Sequence, residues 1–143
     1  MRTLTLLLVA CLAGPPVFAQ PVDTPSDQVL RTEAIEDVIG AQLDAFKARD
    51  VGAAWQFASP MIQGLFGGPA NFGRMVEQGY PMVWDNSSAR YVATRKEGPR
   101  TYQQVMIQDA NGGLHMLEYA MIPDGTGWLI DGVRVLPLPD VGV

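Results

Sequence analysis

The stretch VEQGYPMVWDNSSARYVATRK, from Val76 to Lys96, contains the point at which the hydrophobic period of the chain changes. Before Pro81 apolar residues recur every three or four positions, the spacing of one helix face. After it they alternate, the spacing of one strand face. Helical texture covers residues 25–79 and strand texture covers residues 82–136. Helices first and an antiparallel sheet second describe a single α+β domain.

Working back from the switch, Thr24-Pro25-Ser26-Asp27 is a helix start, with a cap, a first-turn proline and an early acid. Leu30, Ala34, Ile35, Val38, Ile39, Gln42, Leu43 and Phe46 then share one face, and Glu33, Glu36, Asp37, Asp44 and Lys47 fall mostly on the other. The spacing predicts a long helix ending near Arg49. Asp50 can cap a short second helix carrying Trp55 and Phe57. Ser59-Pro60 restarts the chain, and Gly64, Gly67, Gly68 and Pro69 break it. A third helix is predicted over 70–78, with Phe72, Met75 and Val76 inward and Gly79 as its stop.

Working forward, Met82-Val83-Trp84 is a short apolar run, and strands are predicted over 89–96, 102–109, 114–122 and 128–136. Asn111-Gly112 reads as a two-residue hairpin loop. On that loop Val105 faces Glu118, Met106 faces Leu117 and Ile107 faces Met116. One sheet face then carries Val105, Ile107, Leu114, Met116, Glu118, Ala120 and Ile122, and its aliphatic character points it at the helices. The other carries Tyr102, Gln104, Met106, Gln108, His115, Leu117, Tyr119 and Met121, a mixture suited to an interface, so a homodimer through the sheet is expected.

The chain ends set compartment and domain bounds. Arg2, the apolar run from Leu4 to Leu12 and Val17-Phe18-Ala19 have the order of a signal peptide over 1–19, cut after Ala19. That predicts a periplasmic or secreted protein beginning at Gln20. Leu8-Val9-Ala10-Cys11 offers an alternative, a lipoprotein anchored at Cys11. A lead-in over 20–29, a domain over 30–137 and a tail over 138–143 complete the layout. The chain has 143 residues, 48% of them hydrophobic and 17% charged, a globular composition. Its 15 acidic residues outnumber its 10 basic ones, which argues against nucleic acid or an anionic membrane as partner. No segment after the signal is apolar for long enough to span a bilayer. The single cysteine, Cys11, leaves with the signal, removing disulfide and thiolate chemistry from the mature chain.

A family resemblance rests on the long first helix, on Ala48-Arg49-Asp50-Val51-Gly52-Ala53-Ala54-Trp55, and on a sheet closing at Gly127-Trp128-Leu129-Ile130. These resemble the nuclear transport factor 2-like superfamily. Phe57-Ala58-Ser59-Pro60 and Gly79-Tyr80-Pro81 resemble, within it, an uncharacterised bacterial group, domain of unknown function 4864. The resemblance implies a cone of three N-terminal helices packed on a curved antiparallel sheet, often with an interior pocket. Enzymes of the isomerase or dehydratase kind occur on such cones, with acids, histidines or tyrosines inside. No catalytic motif of theirs matches here.

The candidate site residues follow. Trp55, Phe72, Tyr80, Trp84 and Tyr91 could line a cavity for a small apolar ligand or be ordinary core aromatics. Glu118, on the aliphatic face, is the weak catalytic candidate. It would either pair with Arg134 of the last strand or stand in the cavity as a pH-sensitive acid. One histidine, His115, and six scattered methionines of the mature chain make no metal site, and no cofactor motif is present. Three functions remain: a non-catalytic binder of a small apolar ligand, a dimeric interaction module, and, as the alternative, an acid–base enzyme using a cavity acid.

Overall fold

The structure, a computed structural model, describes residues 24–125 and 127–138, and omits the side chains of residues 27–29, 31 and 33. The cleavage after Ala19, the alternative at Cys11 and the end of the tail lie outside the described residues.

Among the described residues five helical segments precede the sheet, two more than the three expected. They are α1 (Pro25–Lys47), α2 (Val51–Trp55), α3 (Pro60–Phe66), α4 (Pro69–Gly79) and α5 (Pro81–Trp84). The stripe of α1 buries Ile35, Ile39, Gln42, Leu43 and Phe46 as its spacing requires. Leu30, assigned to the same face, is exposed, because burial along α1 begins only at Ile35. The extra segments have local causes. Ser59 caps α3 by accepting from the Ile62 amide at 3.3 Å, and Gly67, at φ 73°, closes it. Pro81 starts α5, which turns the run Met82-Val83-Trp84 into one helical turn and buries Val83.

The end of α1 fixes α5. Arg49 adopts a left-handed conformation, φ 59°, and the Asp50 amide donates back to the Ala45 carbonyl at 2.9 Å, closing the helix. The Arg49 guanidinium lies 4.4 Å over the Trp84 ring, donates to the Trp84 carbonyl at 2.6 Å and pairs with Asp85. Buried Asn86 adds a second tie, donating to the carbonyls of Leu43 (3.0 Å) and Val83 (2.7 Å).

Four antiparallel strands form one curved sheet in the order β1 (Asn86–Glu97), β2 (Arg100–Asp109), β3 (Leu114–Asp124), β4 (Gly127–Leu136). The outer edge of β4 is partly covered by the segment before α3: Ser59 donates to the Ile130 carbonyl and Ile130 to the Phe57 carbonyl, each at 2.8 Å.

The β2–β3 register differs from expectation by one residue. Val105 faces Leu117, Gln104 faces Glu118, Met106 faces Met116 and Ile107 faces His115. The loop is not Asn111-Gly112 alone. Asp109 exchanges backbone bonds with Gly113 and Gly112, and its Oδ1 accepts from the amides of Asn111 (2.9 Å) and Gly113 (2.8 Å). Gly112 sits at φ 86°. This is a three-residue loop in which an acid opens the turn and a left-handed glycine closes it. The two faces of β3 are therefore exchanged, while those of β2 stand. Leu117, Tyr119 and Met121 join Val105 and Ile107 under the helices, all fully buried. Glu118, Met116, Ala120, Ile122 and Leu114 join Tyr102, Gln104, Met106 and Gln108 on the outer face.

Candidate functional site

An apolar cavity of about 210 Å³ lies between the helices and the inner face of the sheet. Its walls come from α1 (Gln42, Phe46), α3 (Ile62, Leu65, Phe66), α4 (Phe72, Met75, Val76) and β4 (Ile130, Gly132, Val133), with Ala58, Tyr80, Val83 and Tyr119 completing it. The α4 wall follows from spacing, since Phe72, Met75 and Val76 fall on one face. Phe72 is the hub of an aromatic cluster, with ring centroids 5.9 Å from Phe46, 5.5 Å from Trp55 and 6.0 Å from Phe66.

Of the expected ligand-binding residues, Phe72 and Tyr80 line this cavity. Trp55 packs behind Phe72, and Trp84 lies against Phe46 beneath Arg49. Tyr91 reaches α1 instead, donating to the Glu36 carbonyl at 2.9 Å. Glu118 stands on the opposite side of the sheet. Sequence reasoning missed Gln42 and Tyr119 as site residues. Gln42 carried a signal, as the one polar residue in the apolar stripe of α1. Tyr119 was placed on the wrong face by the register.

The polar groups near the cavity are tyrosines and amides. Tyr80 donates to the Val133 carbonyl at 2.9 Å. Burial, then the carboxylates of Glu36, Asp37 and Asp44, push the Tyr91 phenol up to about 12. Tyr119 is fully buried, and burial, then the Tyr91 and Tyr80 phenols, raise its hydroxyl further. That hydroxyl has no hydrogen-bond partner among the described residues. Gln103, directly across from Tyr119, gives its Nε2 to the carbonyls of Ala93 (3.1 Å) and Gln104 (2.9 Å), leaving Oε1 likewise without a partner. Gln42 donates from Nε2 to the Ala54 carbonyl at 3.2 Å.

The outer face holds two buried carboxylates, each met by arginine. Glu118 Oε1 accepts from Arg134 Nε (2.9 Å), Arg134 Nη2 (2.7 Å) and Arg95 Nη2 (3.1 Å). Burial alone would raise the Glu118 carboxyl; the hydrogen bonds and charge of Arg134, then Arg95, outweigh it and hold the group below its ordinary value. Of the two readings offered for Glu118, the geometry matches the ion pair, and Arg134 lies directly opposite it in the ladder. Asp131 occupies the extra position of a bulge in β4, accepting from Ser59 Oγ (2.8 Å) and Arg100 Nη2 (2.7 Å). A shallow pocket of about 280 Å³ lies between these pairs, over Ala120 and Gly132. His115, expected on the outer face, shares the inner face with Ile107 at the end of the sheet. Its Nε2 meets Asp109 at 2.8 Å, and that contact, then the Gly113 amide, holds the Asp109 carboxyl below its ordinary value.

Among the described residues no group of three or more histidines, cysteines and acids is placed to hold a metal, and no helix is long and apolar enough to cross a membrane. No curated protein and no solved structure matches the chain. A family model described as a domain of unknown function, DUF4864, matches residues 29–143, which is most of the chain. That extent takes in every wall of the cavity and both arginine–carboxylate pairs, and the chain belongs to the DUF4864 family.

Proposed function

We propose that the chain is an exported, non-catalytic binding module that takes one small, largely apolar molecule into the cavity beneath α3 and α4. The observation that carries this is the cavity itself: about 210 Å³, walled mainly by aliphatic and aromatic side chains and by no charged one. That lies below the roughly 300–1,000 Å³ of drug-sized sites. It exceeds the roughly 150 Å³ of an engineered cavity that takes up benzene. The ligand is therefore of one- or two-ring size. The acid–base alternative needs a carboxylate or imidazole in the cavity; none lines it, and Glu118 is bound to arginine on the other face. The order of helices before an antiparallel sheet, with a pocket between them, favours a nuclear transport factor 2-like cone.

Native mass spectrometry of protein purified from its own compartment tests the reading. A retained small molecule is expected, and Met75→Trp, which adds bulk to the wall, should lose it. An empty wild-type protein that takes up no small aromatic on titration counts against the reading.

A homodimer through the outer sheet face is the second reading. It is favoured by Leu114, half exposed on the outer face that also carries Met106 and Met116. Sedimentation at micromolar concentration decides it.

A further inference from the structure

The cavity is not uniformly apolar, and its one amide is oriented. Gln42 is 3% exposed and sits in the cavity wall. Its Nε2 donates to the Ala54 carbonyl at 3.2 Å. A carbonyl accepts only from the nitrogen end of an amide, so this bond fixes which end is Oε1. No hydrogen bond reaches that Oε1 among the described residues. That oxygen is not one of the atoms buried without a partner, so it stays open to the cavity, where a donor on a bound molecule can meet it. Tyr119 also lines the cavity, but its hydroxyl is closed off behind the wall. One obligate acceptor thus faces a space otherwise walled by Phe46, Phe72, Val76 and Ile130.

We propose that Gln42 Oε1 is the specificity anchor of this cavity, selecting small uncharged ring compounds that carry one N–H or O–H donor. The inference rests on the binding reading above and names the class of ligand it would admit. The donor meets Gln42 while the ring fills the space between α3 and α4. Carboxylates and ammonium compounds are excluded, because no wall residue carries a compensating charge. Hydrocarbons of the same shape enter but offer the Gln42 oxygen no donor. Discrimination therefore comes from the oriented amide, and raw affinity from the rings around Phe72.

The test compares indole with benzofuran, which share size and shape but differ in having an N–H or a ring oxygen at one position. Isothermal titration of the full chain should show indole binding about tenfold more tightly, the worth of one buried hydrogen bond. Gln42→Met keeps the length of the side chain and should bring the two compounds level. Equal binding of both by the wild-type protein overturns the anchor while leaving the binding reading intact. Binding of neither overturns the binding reading itself. A preference that survives in Gln42→Met overturns the assignment to Gln42. If Gln42→Met fails to fold, Gln42→Leu serves as the second variant. It removes the same oxygen and should likewise bring the two compounds level without loss of benzofuran binding; a preference unchanged there overturns the assignment to Gln42.

Discussion

Glu118 and Arg134 face each other across β3 and β4, and only the acid is buried: its side chain is 3% exposed, that of Arg134 64%. The cost of breaking the pair is therefore unequal. Arg134→Ala leaves a buried carboxylate with Arg95 alone and should cost on the order of 2 kcal/mol. Glu118→Gln leaves arginines that can turn to water and should cost about 1 kcal/mol or less. Urea unfolding of the two variants measures the difference; equal costs would contradict the buried placement.

The same pair gives an acid-side pH dependence. The folded carboxyl titrates below the ordinary 4.5, so on acidification the unfolded chain takes up the proton first. The stabilisation is complete above about pH 4.5 and is lost as pH falls through the folded value. Wild-type stability should fall more steeply than that of Glu118→Gln between neutral pH and pH 3, as followed by thermal unfolding.

On the alkaline side two of the four tyrosines are held protonated, Tyr91 up to about 12 and Tyr119 higher still. Groups raised in the folded state stabilise it fully below pH 10 and lose that contribution as pH rises toward their folded values. Tyrosinate formation at Tyr91 and Tyr119 should coincide with unfolding. Tyr91→Phe should move the unfolding to higher pH relative to its own neutral stability. Full tyrosinate absorbance reached before unfolding would refute the buried environment of both rings.

Gly73 lies where α4 crosses α2. A Cβ there would meet Val51 Cγ1 at 2.6 Å and Val51 Cβ at 3.2 Å. A β-branched neighbour cannot swing aside, so Gly73→Ala should push α4 outward and cost about 1–3 kcal/mol. Thermal unfolding tests the cost, and weaker uptake of indole should accompany it, because Phe72 and Val76 move with α4.

Processing has its own test. Intact mass of the exported protein should correspond to a chain beginning at Gln20, and a lipid-modified Cys11 would favour the anchored alternative.

The period change at Pro81 was enough to read helices before strands, and the four strands lie within a few residues of their expected bounds because alternation and turn residues agree there. The reading failed where one local signal outranked another. Asn111-Gly112 has the composition of a two-residue loop, yet Asp109 captures the amides of Asn111 and Gly113 and lengthens the loop to three. Because side chains alternate, that one residue moved Tyr119 and Leu117 inward and Glu118 outward. It also removed the main ground for a sheet-mediated dimer, since Leu117, Tyr119 and Met121 are core residues. The cavity was only half legible. Phe72 and Tyr80 could be named from composition, but Trp55, Trp84 and Tyr91 resemble them in sequence and differ only in which neighbour they meet.

The helix α3 supplies Ile62, Leu65 and Phe66 to the cavity wall and yet buries none of its own residues, with Leu65 70% exposed. It is held at one end by Ser59 and at the other by the Gly67-Gly68 pair. The wall with the fewest packing contacts is the one that opens at least cost. Amide hydrogen exchange in α3 should therefore run well ahead of exchange in β2 and β3, and the residence time of a bound molecule should follow the lifetime of this seven-residue segment rather than that of the fold.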